Sequence, residues 1–176
     1  MRTLFVALCL VALAGCGGGH ASTAAKTERQ VGEAVGAGAT LHAGGRRAPE
    51  LGSPLFFQAT ILDLITESME IAREETFGPV VPITPIDGEA EALEIIERSP
   101  FGLLTSIFTR DLARGLRFAE SARAGWVNIN ESTNYWESHL PFGGRAGSAS
   151  GVGRVGGRFS MDRLTELKTI VVRMDG

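Results

Sequence analysis

Glu75 and Phe77 are the residues of this sequence whose types and spacing most suggest chemistry, and they come just before Gly78-Pro79. Pro79 favours an extended conformation at the residue before it, and alternate side chains of an extended segment share one face. Glu75 and Phe77 are therefore expected to point the same way, with Thr76 opposite. A carboxylate can accept hydrogen bonds from both hydroxyls of a ribose diol, and a phenyl ring can contact a flat heterocycle. The alternative is a solvated Glu75 beside a core Phe77.

A glycine-rich stretch is the second candidate, because residues 143–157 hold seven of the 23 glycines. Backbone N–H groups of such a loop can bind phosphate. No Lys-Ser or Lys-Thr pair ends the stretch, and no strand directly precedes it, so it is neither a P-loop nor a dinucleotide fingerprint. The alternative is a packed connector, in which glycine permits positive φ angles and close approach of the backbone.

Ahead of that stretch are three further candidates, Tyr135, Trp136 and His139. If they lie on a loop, they could line the mouth of a substrate site. The alternative for them is an ordinary surface role. His20 and His42 have no acidic or histidine partner at ligand spacing, so we expect no metal site.

Composition limits the remaining possibilities. The 176 residues are 44% apolar and carry a net charge of −3, which suits one domain core. This balance excludes a basic nucleic-acid-binding protein and an acidic disordered tail. Both cysteines, Cys9 and Cys16, lie in the first sixteen residues. The body therefore has no disulfide scaffold, cysteine-based zinc site or thiol nucleophile of its own.

The first sixteen residues have the pattern of an export signal. Arg2 precedes an unbroken apolar run at residues 4–14, too short for a membrane span of about 20 residues but suited to a secretory signal. The tetrad LAGC at residues 13–16 resembles the lipobox of bacterial lipoproteins, in which the cysteine is acylated. Residues 17–25 are then expected to form a flexible linker, with a lipid on Cys16 as the only membrane attachment. The alternative is a wrongly chosen start, so that this peptide is never used.

The body alternates strands and helices. Apolar periodicity predicts helices over residues 26–39, from Asp87 and from Asp111. It predicts a strand or a strand pair at residues 55–64, and strands at residues 79–86, 103–109, 126–130 and 165–174. The prolines of the second strand confine it to a short or edge position. Strand–helix alternation with short connections is typical of a parallel sheet. We therefore predict an α/β fold in which residues 79–130 form a βαβαβ core.

The two central helices each have a predicted buried face, and an aspartate precedes each helix as a candidate N-cap. Glutamates of the first helix and arginines of the second occupy the opposite faces. The predicted buried positions are Ala90, Leu93 and Ile96 in the first helix and Leu112, Leu116 and Ala119 in the second.

Taken together, these stretches resemble the C-terminal third of the NAD(P)-dependent aldehyde dehydrogenase family. The resemblance covers about residues 26–173, and the matching pieces occur in the family's order. They are VGEAVGAGA (31–39), GG (44–45), MEIAREETFGPV (69–80), FGL (101–103), IFTRD (107–111), AGWVNIN (124–130), PFGG (141–144), SGVGR (150–154) and TELKT (165–169).

The resemblance implies a fold, a cofactor and site residues. It implies that the chain is part of a catalytic domain that oxidises an aldehyde to a carboxylic acid with NAD or NADP. Glu75 matches the glutamate that holds the nicotinamide ribose hydroxyls, and Phe77 matches the phenylalanine beside them. Phe142 matches a phenylalanine of the aldehyde tunnel, with Trp136 and His139 at the tunnel mouth. The last strand would join an intersubunit sheet, so a homo-oligomer is implied.

The sequence also departs from the family pattern. Residues 145–149 place five residues between the paired glycines and Ser-Gly, where the family motif has three. The family's reaction needs a cysteine thiolate that attacks the aldehyde, a glutamate base, an oxyanion-hole amide and the main cofactor domain. In the family all of these precede the segment present here, and Cys16 lies in the apolar leader without matching context. We therefore assign no catalytic residue.

Three hypotheses follow for function. The first is an aldehyde dehydrogenase fragment, arising by truncation, frameshift or a gene-boundary error, that is inactive alone. The second is an exported lipoprotein that reuses the half-domain as a binding or structural module. The third is a chain that complements a separate N-terminal partner. The compartment is left open, because the family is cytoplasmic whereas the leader indicates export.

Overall fold

The computed structural model of the protein describes residues 20–151 and 153–174, which form a mixed α/β fold. The leader, with Cys16 and the expected lipobox, lies outside the described residues. The helices are α1 (His20–Gly36), α2 (Glu70–Arg73), α3 (Glu89–Arg98), α4 (Leu112–Ser121) and α5 (Arg158–Leu164), with a short 3-10 helix at Pro49–Leu51. The strands are β1 (Thr40–Ala43), β2 (Thr60–Asp63), β3 (Val80–Pro82), β4 (Leu104–Ile107) and β5 (Trp126–Ile129).

The described strands form two sheets. In the first, β2 lies between β1 and β3, antiparallel to β1 and parallel to β3. In the second, β4 and β5 are parallel, with Leu104 opposite Trp126 and Ile107 opposite Ile129. The α/β class with parallel pairing is confirmed. The βαβαβ core is confirmed only for β4–α4–β5, because β3 and β4 are not hydrogen-bonded to each other.

Each sheet has its own hydrophobic core. Under the first sheet, Val31 and Ala34 of α1 pack with Leu62 and with residues of and around α2. Under the second, Ile96 of α3 and Phe118 of α4 pack with β4 and β5. The two sheets are therefore stabilised by separate sets of apolar contacts.

The predicted buried faces of α3 and α4 are partly wrong. Ile96 is buried, but Ala92 is buried in place of Ala90. In α4, Leu112 is 66% exposed and Leu116 is 50% exposed, whereas Phe118 is 1% exposed. The reason lies at Gly115, where a Cβ atom would come 2.9 Å from the Ile129 side chain. Close contact between α4 and β5 therefore selects the Gly115–Phe118 face.

The predicted caps and strand lengths have mixed outcomes. Asp111 does cap α4, because its side chain accepts a hydrogen bond from the Arg114 N–H at 3.1 Å. The N-cap of α3 is Gly88 rather than Asp87. The 79–86 run does give a short edge strand, β3. The 55–64 run yields only β2, although Phe57 forms an isolated bridge with Arg47.

Both ends of the described chain differ from prediction. Helix α1 begins at His20 rather than at residue 26, so residues 20–25, expected in a flexible linker, are helical. Residues 165–174 form no strand, because no described strand pairs with them. Their side chains, Leu167 and Val171 among them, are exposed. The expected C-terminal oligomerisation strand is therefore not formed in the single chain.

The described residues contain neither a membrane-spanning helix nor a cluster of candidate metal ligands. No helix within residues 20–151 and 153–174 is long and apolar enough to cross a membrane. In the same part of the chain, no group of three or more His, Cys, Asp or Glu residues is arranged to hold a metal ion. His42, expected to lack an acidic partner, lies 3.5 Å from the Asp63 carboxylate across β1 and β2.

Helix α1 also holds α2 by ionic contacts. The Arg29 guanidinium donates two hydrogen bonds to the Glu70 carboxylate, and Gln30 donates a third at 3.1 Å. These contacts, the Arg29 hydrogen bond above all, lower the pKa of Glu70 from 4.5 to about 2. Lys26 reaches Glu74 at 3.1 Å. The segment that leads to Glu75 is therefore tethered to α1.

We expect Glu70 to contribute to the pH dependence of stability. Its pKa is about 2 in the folded chain and near its ordinary value when unfolded, so its stabilisation is complete above about pH 4.5 and is lost as the pH falls towards about 2. Glu70→Gln should lower the urea midpoint of unfolding at neutral pH. It should also reduce the fall of that midpoint between about pH 4.5 and about pH 2. Urea unfolding at several pH values measures both. Glu120→Gln, at an exposed position of α4, is the matched control, and an equal slope in both variants would contradict the assignment.

Candidate functional site

The segment between α2 and β3 carries Glu75 and is irregular rather than extended throughout. Glu75 is half-buried and borders a cleft between the two sheets. Its carboxylate has no hydrogen-bond or ion-pair partner within residues 20–151 and 153–174. An acceptor with free lone pairs at the edge of a cleft can bind hydroxyl donors of a ligand.

Phe77 adopts a conformation that is rare for a bulky side chain. Its φ angle is +51°, in the left-handed region, and its side chain is 57% exposed. Such a conformation costs about 1–3 kcal/mol and persists only where the surroundings impose it. It also breaks the expected alternation, because Thr76 borders the cleft with Glu75 and Phe77 does not. The prediction that Glu75 and Phe77 share a face, with Thr76 opposite, is therefore wrong.

The packing of Gly78 against α1 imposes this turn. A Cβ atom on Gly78 would lie 2.6 Å from the Thr27 hydroxyl oxygen. Thr27 is 1% exposed and donates a hydrogen bond to the Thr23 carbonyl at 3.0 Å, so it has little room to move. The backbone of Gly78 therefore packs directly on the helix, and the side chain of Phe77 is exposed to solvent beside it.

The cleft beside Glu75 has a volume of about 370 Å³. One wall comes from α2, the Glu75 segment and β3, and the other from α3, β4 and the residues that lead into β4. Its lining is mostly apolar, with Ile71, Ile95 and Leu104 among the side chains, and charged groups such as Arg73 and Arg98 also border it. It therefore offers apolar surface together with a few polar groups, as many binding sites do.

Phe142 and Trp136 come together in an aromatic cluster with Trp126. The Phe142 ring centroid lies 5.7 Å from that of Trp136 and 6.3 Å from that of Trp126. His139 is exposed outside this cluster, with its Nδ1 atom 3.8 Å from a Glu137 carboxylate oxygen. None of the three predicted substrate residues borders the cleft with Glu75. The residues of the predicted site therefore lie in two separate places. Glu75 lies at the cleft, and Phe142 and Trp136 lie in the aromatic cluster.

The glycine-rich stretch is a packed connector. The N–H groups of Arg145 and Ala149 donate to the carbonyls of Gly102 and Pro100, at 2.9 and 2.8 Å. The N–H of Ser150 is engaged by Ser148. These three backbone donors are therefore not available to a phosphate.

Residues 19–170 of the chain match the aldehyde dehydrogenase family. The chain belongs to this family. The NAD+ complex of the Mycobacterium tuberculosis aldehyde dehydrogenase superposes with a TM-score of 0.79 at 32% identity, over 87% of this chain and 31% of that one.

Curated relatives of the chain belong to the same family. The benzaldehyde dehydrogenase [NAD(+)] of Pseudomonas putida is 41% identical over 134 residues, which are 76% of this chain and 26% of that protein. The human mitochondrial succinate-semialdehyde dehydrogenase is 39% identical over 145 residues, 82% of this chain and 26% of that protein. The chain thus spans about a quarter of the length of these relatives.

Within this aldehyde dehydrogenase segment, Arg154 is a positioning residue that the sequence analysis did not single out. Its Nη1 atom donates to the carbonyls of Gly125 at 2.6 Å, Gly143 at 2.9 Å and Pro141 at 3.4 Å. Arg154 therefore fixes both residues that flank Phe142 to the start of β5. The signal that could have found it is the SGVGR motif at residues 150–154, in which an arginine follows glycines that cannot pair its charge.

Glycines make this clamp possible. A Cβ atom on Gly125 would lie 1.8 Å from the Gly143 carbonyl oxygen, and one on Gly143 would lie 2.1 Å from that of Gly153. Three backbone segments therefore meet at contact distance, and Arg154 is hydrogen-bonded to carbonyl groups of two of them, at Gly125 and at Pro141 and Gly143. This arrangement explains the paired-glycine motif by close backbone approach.

We expect Arg154→Met to destabilise the chain, because methionine keeps an apolar stem but leaves the carbonyls without their charged donor. Hydrogen bonds to a charged group contribute about 1.5–3 kcal/mol. Urea unfolding followed by tryptophan fluorescence, with Trp126 beside the clamp, measures the loss. Arg117→Met, at an exposed position of α4, should change stability by less than about 0.5 kcal/mol. Equal effects of the two substitutions would contradict the clamp.

Proposed function

We propose that this chain supplies the nicotinamide-ribose contact and the aldehyde-facing aromatic loop of an aldehyde dehydrogenase that oxidises an aldehyde to a carboxylic acid. Its residues 26–173 form part of a catalytic domain. The proposal is carried by one observation: the Glu75 carboxylate has no protein partner in the described chain and stands at the edge of the cleft.

Glu75 fits a nicotinamide nucleotide, NAD or NADP, at this edge, and Phe77, which lies outside the cleft lining, is the second residue of the proposed contact. Glu75 offers unpaired carboxylate oxygens to the ribose hydroxyls, and the exposed ring of Phe77 offers an apolar face to the nicotinamide or its ribose. The nucleotide, when bound, accepts hydride from the substrate. Helix α1 keeps the Glu75 and Phe77 backbone in place through Thr27 and Glu70.

Phe142, Trp136 and His139 form the aldehyde-facing side. The tilted rings of Phe142 and Trp136, 5.7 Å apart, suit a small-molecule aldehyde with an apolar group, and His139 is exposed outside them. The five residues at 145–149, where the family motif has three, lengthen the loop behind Phe142 by two residues.

The nucleophile and the general base must come from polypeptide that these 176 residues do not contain. No cysteine follows Cys16, and without a thiolate no covalent adduct with the aldehyde forms. The chain alone is therefore inactive. The exposed apolar side chains of residues 165–174 support self-association into a homo-oligomer, in which this tail would pair with a strand.

Nicotinamide mononucleotide tests the ribose contact on the full chain. We expect saturation-transfer NMR to show contact with its ribose and nicotinamide protons, and Glu75→Gln to weaken binding about tenfold through loss of the charged acceptor. Glu120→Gln is the matched control, and adenosine monophosphate is the ligand control. Identical binding by wild type and Glu75→Gln would remove the basis of the proposal.

The second candidate function is an exported lipoprotein, and the LAGC tetrad at residues 13–16 favours it. The family match begins at residue 19, directly after this leader. Because NAD is scarce outside the cytoplasm, the half-domain would then be a binding or structural module. The membrane contact would come only through the lipid on Cys16.

Metabolic labelling separates the two candidates. A lipoprotein should incorporate palmitate at Cys16, lose the label in Cys16→Ser, and accumulate unprocessed when globomycin is added. Cys9→Ser is the matched control and should keep the label. An unlabelled protein in the soluble fraction would eliminate the lipoprotein candidate.

A further inference from the structure

Two pieces of chain that are far apart in sequence meet next to the start of β4. The long loop is residues 145–149, which exceed the family motif by two residues and begin three residues after Phe142. The entry segment is residues 99–102, which follow α3 and lead towards β4. The Arg145 N–H donates a hydrogen bond to the Gly102 carbonyl at 2.9 Å. The long loop therefore connects the chain that carries Phe142 to the entry segment.

Further hydrogen bonds join the long loop and the entry segment in both directions. The Ala149 N–H donates to the Pro100 carbonyl at 2.8 Å. The Gly102 N–H donates to the hydroxyl oxygen of Ser150, the residue directly after the long loop, at 3.0 Å. Both the carbonyl and the N–H groups of the entry segment are therefore engaged, so the two pieces of chain are held as one unit.

The side chain of Arg145 adds a contact of its own. Its Nη2 atom donates a hydrogen bond to the Ser99 carbonyl at 3.0 Å. Gly102 packs on the stem of the same side chain, because a Cβ atom on Gly102 would lie 2.5 Å from the Arg145 Cγ atom and 2.9 Å from its Nε atom. Arg145 therefore contacts the entry segment at its first residue and at its last.

The entry segment is part of the wall of the cleft that Glu75 borders. All four of its residues line this cleft, and Ser150 does so as well. Arg145 does not line the cleft. A change at Arg145 would therefore act on the cleft through the backbone of the entry segment and not by direct contact with a ligand there.

We propose that Arg145 is a positioning residue for the nucleotide contact, because its bonds to Ser99 and Gly102 fix the part of the cleft wall that the entry segment forms. This inference rests on the proposed function, in which Glu75 binds the nicotinamide ribose. The long loop follows Phe142 closely in sequence, so Arg145 also links that wall to the aldehyde-facing side.

A role in stability alone is the alternative, and the Nε atom of Arg145 separates the two roles. This atom is buried and has no hydrogen-bond partner within residues 20–151 and 153–174. A buried donor without a partner costs free energy. Lysine has a methylene group near that place, and its flexible stem still carries a charged donor for the Ser99 carbonyl. Arg145→Lys should therefore be no less stable than wild type and should keep the positioned wall.

The test is binding of nicotinamide mononucleotide to the full chain, followed by saturation-transfer NMR. Arg145→Ala removes the donor to Ser99 and should weaken binding about fivefold or more. Arg145→Lys should bind within about twofold of wild type. Arg117→Ala, at an exposed position of α4, is the matched control and should bind as wild type does. Equal binding by Arg145→Ala and Arg117→Ala would overturn the proposal, and so would a lysine variant that binds as weakly as the alanine variant.

Gly102→Ala tests the same contact from the entry segment. Its Cβ atom would displace the Arg145 stem and should weaken binding about fivefold, whereas Gly88→Ala, where a Cβ atom meets nothing within 4 Å, should not. In an Arg145→Ala background the Cγ atom is gone, so Gly102→Ala should weaken binding by less than about twofold. Additive effects of the two substitutions would overturn the proposal. If circular dichroism shows that Arg145→Ala does not fold, the comparison of Gly102→Ala with Gly88→Ala decides.

The same titrations separate this inference from the proposed function. If Glu75→Gln weakens binding and Arg145→Ala does not, the positioning role alone is overturned. If Arg145→Ala weakens binding and Glu75→Gln does not, the positioning of the wall is supported while the ribose contact of Glu75 is removed. A wild-type chain that does not bind nicotinamide mononucleotide overturns both.

Discussion

Backbone hydrogen bonding is the constraint on which the rest of this structure depends. Five short strands are divided between two sheets, and β3 and β4 each leave one edge unpaired within the described chain. The two hydrophobic cores follow the same division, one under each sheet. The cleft beside Glu75 exists because the sheets are not joined. The candidate site and the separation of the two sheets are therefore two aspects of one feature.

Two kinds of contact position the functional groups, and both act on the backbone. On the nucleotide side, the buried Thr27 of α1 presses on Gly78 and holds Phe77 in a left-handed conformation. On the aromatic side, Arg154 binds three carbonyl groups around Phe142 and the start of β5. The side chains of the candidate site are half-buried or exposed, whereas Thr27 is buried and Arg154 is hydrogen-bonded to three carbonyl groups.

Local signals in the sequence predicted what depends on local physics. The Asp111 cap, the short edge strand rich in proline and the β4–α4–β5 unit are all present, and the family resemblance is confirmed. The buried faces of the helices were harder to predict. In α4, a close contact at Gly115, rather than the spacing of apolar residues, selects the buried side. The exposed ring of Phe77 and the Arg154 clamp depend on contacts between residues far apart in sequence, which periodicity does not reveal. The strand predicted at residues 165–174 is not formed, because a strand needs a neighbouring strand to pair with and composition alone does not show whether one is present.

The tail at residues 165–174 has a consequence for how the protein behaves when it is made in quantity. Leu167, Ile170 and Val171 are solvent-exposed on a segment whose backbone has no ladder. Short, β-prone segments of this kind seed cross-β aggregation, and charged flanking residues act as gatekeepers against it. Lys168 and Arg173 are the only cations in this stretch. Lys168 and Arg173, together with Glu166, are therefore the charges in this tail that act against such aggregation.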